Sequence, residues 1–343
     1  MEKGPWVRNG LSMNKRREFV AHMGRAAMLI ALRPYRFIPF MAGCSTPYPL
    51  ALGLYDPWCP PRLMPTDTLE ENLQVRVKVI SWYQAWGSAF SRCFPEISAE
   101  AHRRDITPLI TWEPWKLPTE LPAGTPPHDQ PNYSLERIAS GAYDPYVRSW
   151  ARSLRLVSKP IFLRPMHEMN GNWYPWGGTV NGNNPQGFTR AWKHLRRLFR
   201  EERADNVLWV WCPFAHSVPD TPENSLESYF PGTGEVDWLA LDIYNHCTQG
   251  STWQSFSQIF NDPYRRFNAL APEKPVMIAE LGCAEAGGDK AAWTREALRA
   301  LTEKYRRVEV VVWFNIDKEC DWRIDSSRRA LNAFRKEAAR FSS

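Results

Sequence analysis

The sequence predicts a single (β/α)8 barrel, and three observations predict it. Eight short apolar runs alternate with stretches of helical period. Together they span roughly 290 residues, close to the usual length of such a barrel. Nearly every run ends in ionisable, amide or aromatic residues, as expected of strands whose C-terminal ends share one working face. The alternation argues for parallel strands joined by right-handed crossovers. An open doubly wound sheet is the alternative. It asks for a glycine-rich phosphate turn after the first strand and for polar groups at two neighbouring strands only. The sequence offers neither.

Residues 51–55 form the first expected strand. The acid-rich stretch 67–72 starts a helix. Residues 74–84 alternate and then turn apolar, giving a second strand that closes on Trp82, Tyr83, Gln84 and Trp86. A helix is expected over 94–104 and a third strand over 106–112, closing on Glu113 and Trp115. The Pro-rich loop 117–131 that follows is a candidate substrate-contacting loop. Residues 135–140 and 145–157 read as helical, and 160–163 as the fourth strand. Residues 185–203 open on a proline, space Phe188, Trp192, Leu195 and Phe199 three or four apart, and turn basic toward the end, the pattern of a helix. Strands five to eight are expected at 207–211, 236–243, 275–279 and 309–312, with helices at 252–270, 289–305 and 326–341. No linker divides this region, so 45–343 reads as one domain.

Residues 1–44 stand apart. Met13-Asn14-Lys15-Arg16-Arg17-Glu18-Phe19 resembles a twin-arginine export motif, and Met41-Ala42-Gly43-Cys44 resembles a lipoprotein cleavage box. The segment reads as an export signal with Cys44 as the candidate lipidated residue. The rest of the chain reads as an exported monomer, periplasmic, envelope-anchored or secreted, without a spanning helix.

The composition, 43% hydrophobic and 23% charged, is that of a globular chain. The net charge of +6 is scattered rather than gathered along an aromatic-lined groove, so nucleic acid is not an expected partner. The seven cysteines include no CxxC pair, and His167, His216 and His246 show no HxH or HExxH spacing, so no metal site is expected. The unusual feature is 17 tryptophans, many at strand ends: Trp82, Trp86, Trp112, Trp115, Trp173, Trp176, Trp211 and Trp313. Flat amphipathic rings there suit a ligand with apolar faces and polar edges, which describes a sugar.

The stretch 161–178 concentrates the chemistry. An apolar run turns abruptly into Arg164, His167, Glu168, Asn170, Asn172, Trp173, Tyr174 and Trp176. A purely structural strand end, with Arg164 paired to Glu168, is the bland reading. The second anchor is Glu280, which closes the run Val276-Met277-Ile278-Ala279. Strands four and seven of a barrel oppose each other across its mouth. Two carboxyls there can flank one bond of a substrate, one giving a proton to the leaving oxygen and the other attacking the sugar carbon.

The segment Arg164-Pro165-Met166-His167-Glu168-Met169-Asn170-Gly171, with Trp173, Trp176 and Ala279-Glu280-Leu281-Gly282, resembles glycoside hydrolase family 26, which holds β-mannanases, β-glucanases and β-1,3-xylanases on a (β/α)8 barrel. The resemblance implies Glu168 as acid/base and Glu280 as nucleophile. It implies His167 at the sugar or the nucleophile and Trp173 at the subsites. It also implies Tyr244 hydrogen-bonded to the nucleophile and Trp313 as a platform under the reacting sugar. Trp82, Trp112 and Trp176 are taken as further substrate-binding residues. Mannanases of the family tend to carry a histidine at the end of strand three and an arginine after the strand-eight tryptophan. Here Trp112-Glu113 and Phe314 stand there, which shifts the expectation toward a β-glucan or an exopolysaccharide. The expected activity is a retaining endo-β-glycanase acting on a polysaccharide, without cofactor or metal. A non-catalytic polysaccharide-binding protein on the same barrel is the alternative.

Overall fold

The computed structural model describes residues 50–88, 91–245 and 252–341. The segment read as an export signal, Cys44 and His246 lie outside the described residues. Eight strands close a parallel barrel in sequence order: β1 (Ala51–Tyr55), β2 (Val77–Ala85), β3 (Thr107–Glu113), β4 (Ile161–Pro165), β5 (Val207–Trp211), β6 (Trp238–Asn245), β7 (Val276–Cys283) and β8 (Val308–Trp313). Around it run α1 (Asp67–Leu73), α2 (Pro95–Arg103), α3 (Leu135–Ala139), α4 (Asp144–Arg155), α5 (Pro185–Glu201), α6 (Phe256–Leu270), α7 (Lys290–Glu303) and α8 (Arg328–Ala338). The expected barrel is therefore the fold that forms. No helix among the described residues is long and apolar enough to cross a membrane.

The helix starts follow from local chemistry. Pro185 opens α5, and Asn184 Oδ1 accepts from the Gly187 amide at 2.7 Å. Ser255 and Gln258 cap α6 reciprocally, while Asp289 and Ser327 accept from the amides of Ala292 and Ala330. Each supplies an acceptor to an amide that the helix itself leaves unpaired.

Strand side chains alternate between two environments. Outward residues such as Leu52, Ile80, Ile110, Leu163, Trp209, Leu241, Ile278 and Val311 pack under the helices. Inward residues fill the barrel in layers. Val79, Leu109, Phe162, Val210, Ala240, Met277 and Val310 form an apolar floor. Above it the inward positions turn polar, with Thr111, Arg164 and Asp242 all fully buried. The floor excludes water and the polar layer above it carries the charges.

β7 breaks this alternation. Leu241 pairs with Ile278 but Asp242 pairs with Glu280, and on the other side Ile278 pairs with Val311 while Leu281 pairs with Trp313. The extra residue is a β-bulge, which re-aims the side chain that follows. Met277 and Ala279 face inward, so strict alternation would send Glu280 outward. The bulge turns Glu280 into the mouth as well.

Candidate active site

Arg164 is the hub of the mouth. Its fully buried guanidinium donates to Asp242 Oδ1 and Oδ2 at 2.6 and 2.7 Å and to Thr111 Oγ1 at 2.7 and 3.0 Å. It also donates to Glu280 Oε1. Burial would lower its pKa, but Asp242 and then Glu280 hold it well above the usual value, so it stays cationic. The pairing of Arg164 with Glu168 expected as the bland reading does not form. Arg164 lies on the inward face of β4, below the turn that carries Glu168, and meets β6 and β7 instead.

Glu280 accepts three side-chain hydrogen bonds from the described residues. Arg164 and the Tyr83 hydroxyl donate to Oε1, and the Tyr244 hydroxyl donates to Oε2. Burial, and then the charge of Glu280, raises the pKa of both phenols well above the usual range, so both remain O–H donors. Tyr244 sits opposite Gly282 in the β6–β7 pairing, where a Cβ would lie 2.8 Å from its ring. Glycine at this position lets the phenol lie flat along β7 and reach Glu280.

Glu168 is set differently. The chain leaves β4 through two residues with left-handed backbone, Met166 (φ 51°) and Glu168 (φ 52°). Such angles are costly for non-glycine residues and recur where function requires a side chain to be re-aimed. The Glu168 amide is fixed by the Cys212 carbonyl at 2.8 Å. The residue is 7% exposed, and among the described residues its carboxyl accepts one hydrogen bond, from Trp173 Nε1 to Oε2 at 2.7 Å. Burial, then the charges of Asp242 and Glu280, push this carboxyl well above the usual carboxylate range. Gly171 matters here, because a Cβ on it would overlap the Trp173 ring. Asn170 ties the same loop to the next one, accepting from the Phe214 amide at 2.8 Å and donating to its carbonyl at 3.0 Å. Phe214 then packs edge-on against Trp173 at 5.3 Å.

His167 is nearly fully buried, its ring 4.8 Å from that of Tyr174 and 5.8 Å from that of Tyr83. Burial, then the charge of Arg164, takes its pKa well below the usual value, so the ring is neutral. His167, Asp242 and Glu280 bring possible ligand atoms within 4.8 Å of one another. Arg164 already places a cation on both carboxylates, which opposes a metal ion at the same point.

Four tryptophans taken as substrate-binding are placed otherwise. Trp82, Trp112 and Trp313 occupy outward strand positions in the core under the helices. Trp112 packs against Trp86 and Trp150, and Trp313 meets Phe334 of α8 while donating to the Trp322 carbonyl at 2.7 Å. Both are fully buried and point away from the mouth, so Trp313 cannot be a platform under a sugar. Trp176 is also fully buried, stacked behind Tyr174 at 4.4 Å and donating to the His167 carbonyl at 2.6 Å. It shapes the loop from behind. The aromatic floor of the mouth consists instead of Tyr55, stacked on Phe314 at 4.6 Å, with Tyr83, Tyr244 and Trp322 around the pair.

Sequence reasoning missed the roles of Arg164, Asp242, Tyr83 and Phe314. Their place at or near strand ends was visible, but the face on which each sits was not.

The family model for glycosyl hydrolase family 26 matches residues 128–298. Endoglucanase H of Acetivibrio thermocellus is 35% identical over 272 residues, 78% of this chain and 28% of that protein. Mannan endo-1,4-beta-mannosidase A and B of Caldalkalibacillus mannanilyticus is 32% identical over 181 residues, 51% of this chain and 31% of that protein. The chain thus spans less than a third of the length of these two relatives. Among solved structures, an endo-beta-1,4-mannanase of Cellulomonas fimi superposes with a TM-score of 0.64 at 18% identity, over 85% of this chain and 70% of that one. The catalytic domain of a Bacillus sp. JAMB-750 endo-beta-1,4-mannanase gives 0.63 at 14%, over 85% and 86%. These likenesses establish the shared barrel. With the motif around Glu168, the bulged strand that carries Glu280 and the family match between them, the chain belongs to glycoside hydrolase family 26.

Proposed function

We propose that this chain is a retaining endo-β-glycanase in which Glu168 is the acid/base and Glu280 the nucleophile. The observation that carries the reading is the contrast between the two carboxyls. Glu168, buried and facing other carboxylates, is held in the protonated form that a general acid needs. Glu280 accepts from a cation and two hydroxyls, the surroundings of an anion. Its Oε1 is filled by two donors, while Oε2 receives one and keeps a lone pair for bond formation.

In the first step Oε2 of Glu280 attacks the anomeric carbon as the glycosidic C–O bond breaks. Glu168 gives its proton to the departing oxygen. Esterified Glu280 is neutral, so one charge that raised the Glu168 pKa is gone. Glu168 therefore stays ionised after giving up its proton, the form a general base needs. It takes a proton from water, the water oxygen attacks the same carbon, and the ester bond to Glu280 breaks. Trp173 steers the Glu168 carboxyl throughout.

A β-glucan is the favoured substrate over a β-mannan. Glu113 and Phe314 stand where mannanases of the family tend to have histidine and arginine, and the endoglucanase relative aligns over more of the chain than the mannosidase does. Residues 1–44 fit an export signal, as expected for an enzyme that meets polysaccharide outside the cell, with Cys44 the candidate lipid anchor.

Reducing-end release on mannan, glucomannan, mixed-linkage β-glucan, β-1,3-xylan and xyloglucan tests the reading, with Glu168→Gln and Glu280→Gln beside wild type. Turnover on one polymer, reduced about a thousandfold or more in both variants, is expected. Activity that survives Glu280→Gln would remove the nucleophile. Binding without turnover in wild type would make the chain a polysaccharide-binding protein.

A further inference from the structure

The reaction needs two carboxyls and Asp242 is held by Arg164, yet the mouth holds a further carboxyl, Glu113, that the mechanism does not use. On β3 the inward positions are Leu109 in the apolar floor, Thr111 against Arg164, and Glu113 at the rim layer. Glu113 is 2% exposed. Its Oε2 accepts from Trp115 Nε1 at 3.2 Å, and no donor among the described residues meets Oε1. The groups facing it are Arg164 of β4, Glu280 of β7, Lys318 after β8, and the hydroxyls of Tyr55 and Tyr174. Arg164 is already matched by Asp242 and Glu280, so an ionised Glu113 would add an uncompensated negative charge to a dry site. Burial, and to a lesser degree the charge of Glu280, accordingly pushes its carboxyl up to about 8, against Trp115, Arg164 and Lys318. A neutral carboxyl carries one O–H. With Oε2 accepting from Trp115, that hydrogen belongs on Oε1, which makes no hydrogen bond among the described residues.

We propose that Glu113 is a substrate-binding residue whose protonated carboxyl donates a hydrogen bond to a hydroxyl of the sugar bound against Glu280, and so helps select the ring that the mouth accepts. This rests on the glycanase reading above. A buried donor left without an acceptor is costly, so a ring that presents no hydroxyl there is rejected. Glutamate at this position, where mannanases of the family tend to have histidine, is thus a determinant of which hexose is bound.

Glu113→Gln keeps a neutral donor of the same shape, and Glu113→Leu removes it. The kcat and KM of both are measured from pH 5 to 9.5 on mixed-linkage β-glucan and on glucomannan, beside wild type. Glu113→Leu should lose about 10- to 100-fold in kcat/KM at pH 6 and discriminate less between the two polymers. Glu113→Gln should stay within about threefold of wild type at pH 6. Its kcat/KM should then exceed the wild-type value progressively above pH 8, because the amide cannot lose a proton. A Glu113→Leu enzyme within threefold of wild type, or a Glu113→Gln pH profile superimposable on that of wild type, overturns the inference. Should Glu113→Leu fail to fold, the Glu113→Gln profile decides. Should wild type cleave neither polymer, these rates say nothing of Glu113, and the glycanase reading fails only if the other three polymers of the panel are also left intact. Cellohexaose affinity in wild type and the two variants then decides the inference, and equal or absent binding in all three overturns it.

Discussion

Replacing Tyr244 by phenylalanine leaves one oxygen of Glu280 without a donor among the described residues, whereas the same change at Tyr83 does not. Among the described residues Oε2 accepts only from Tyr244, but Oε1 accepts from both Tyr83 and Arg164. A hydrogen bond to a charged group is worth about 1.5–3 kcal/mol. If Tyr244 holds the attacking oxygen in line and stabilises it again as the leaving group, its loss lowers kcat by about 10- to 150-fold. At Tyr83 the cation remains on Oε1, and a net loss of about 0.5–1.5 kcal/mol gives about 2- to 12-fold. The assay is initial-rate reducing-sugar release on the polymer that wild type cleaves best, with thermal midpoints as controls for folding. Both substitutions keep the ring, so neither opens a cavity. A larger loss for Tyr83→Phe than for Tyr244→Phe would refute the assignment of Oε2 as the attacking oxygen. Losses below about twofold for both would refute the view that these hydroxyls set the nucleophile.

Trp313→Phe and Trp173→Phe should separate packing from chemistry. The first trims a fully buried ring against α8, so it should lower the thermal midpoint by several degrees and leave kcat/KM within about threefold. The second removes the donor to Glu168, so it should lower kcat/KM about tenfold with little change in the midpoint. Stability should also carry the mark of Glu113. Its folded pKa of about 8 stands above the ordinary 4.5, so the folded state is favoured below pH 4.5 relative to alkaline solution. This stability is lost as pH rises through 8, on the order of 5 kcal/mol in full. Denaturant midpoints should therefore show Glu113→Gln gaining on wild type between pH 5 and 9, and a constant difference would refute the raised value.

The barrel and its two carboxyls were legible in the sequence for one reason. Strands of a parallel sheet are apolar runs, and ionisable groups at their ends have no packing explanation. Glu168 and Glu280 stood out on that ground, and Tyr244 followed from the resemblance. The facing of individual side chains was not legible. A parallel strand buried on both faces shows no alternation of polar and apolar residues, so adjacent positions look equivalent. Trp82 and Tyr83 are neighbours, as are Trp112 and Glu113, and Trp313 and Phe314. In each pair the tryptophan packs outward and its neighbour reaches the mouth or its rim. Tryptophan was favoured as a sugar platform by residue type alone, and type says nothing about face. The tertiary structure also decided the partner of Arg164, because Asp242 and Glu280 come to it from strands distant in sequence. Finally, the inward aim of Glu280 depends on one extra residue in β7 relative to both neighbouring strands. Nothing in Val276-Met277-Ile278-Ala279 marks that bulge, since it is a property of the register among three strands and not of any one of them.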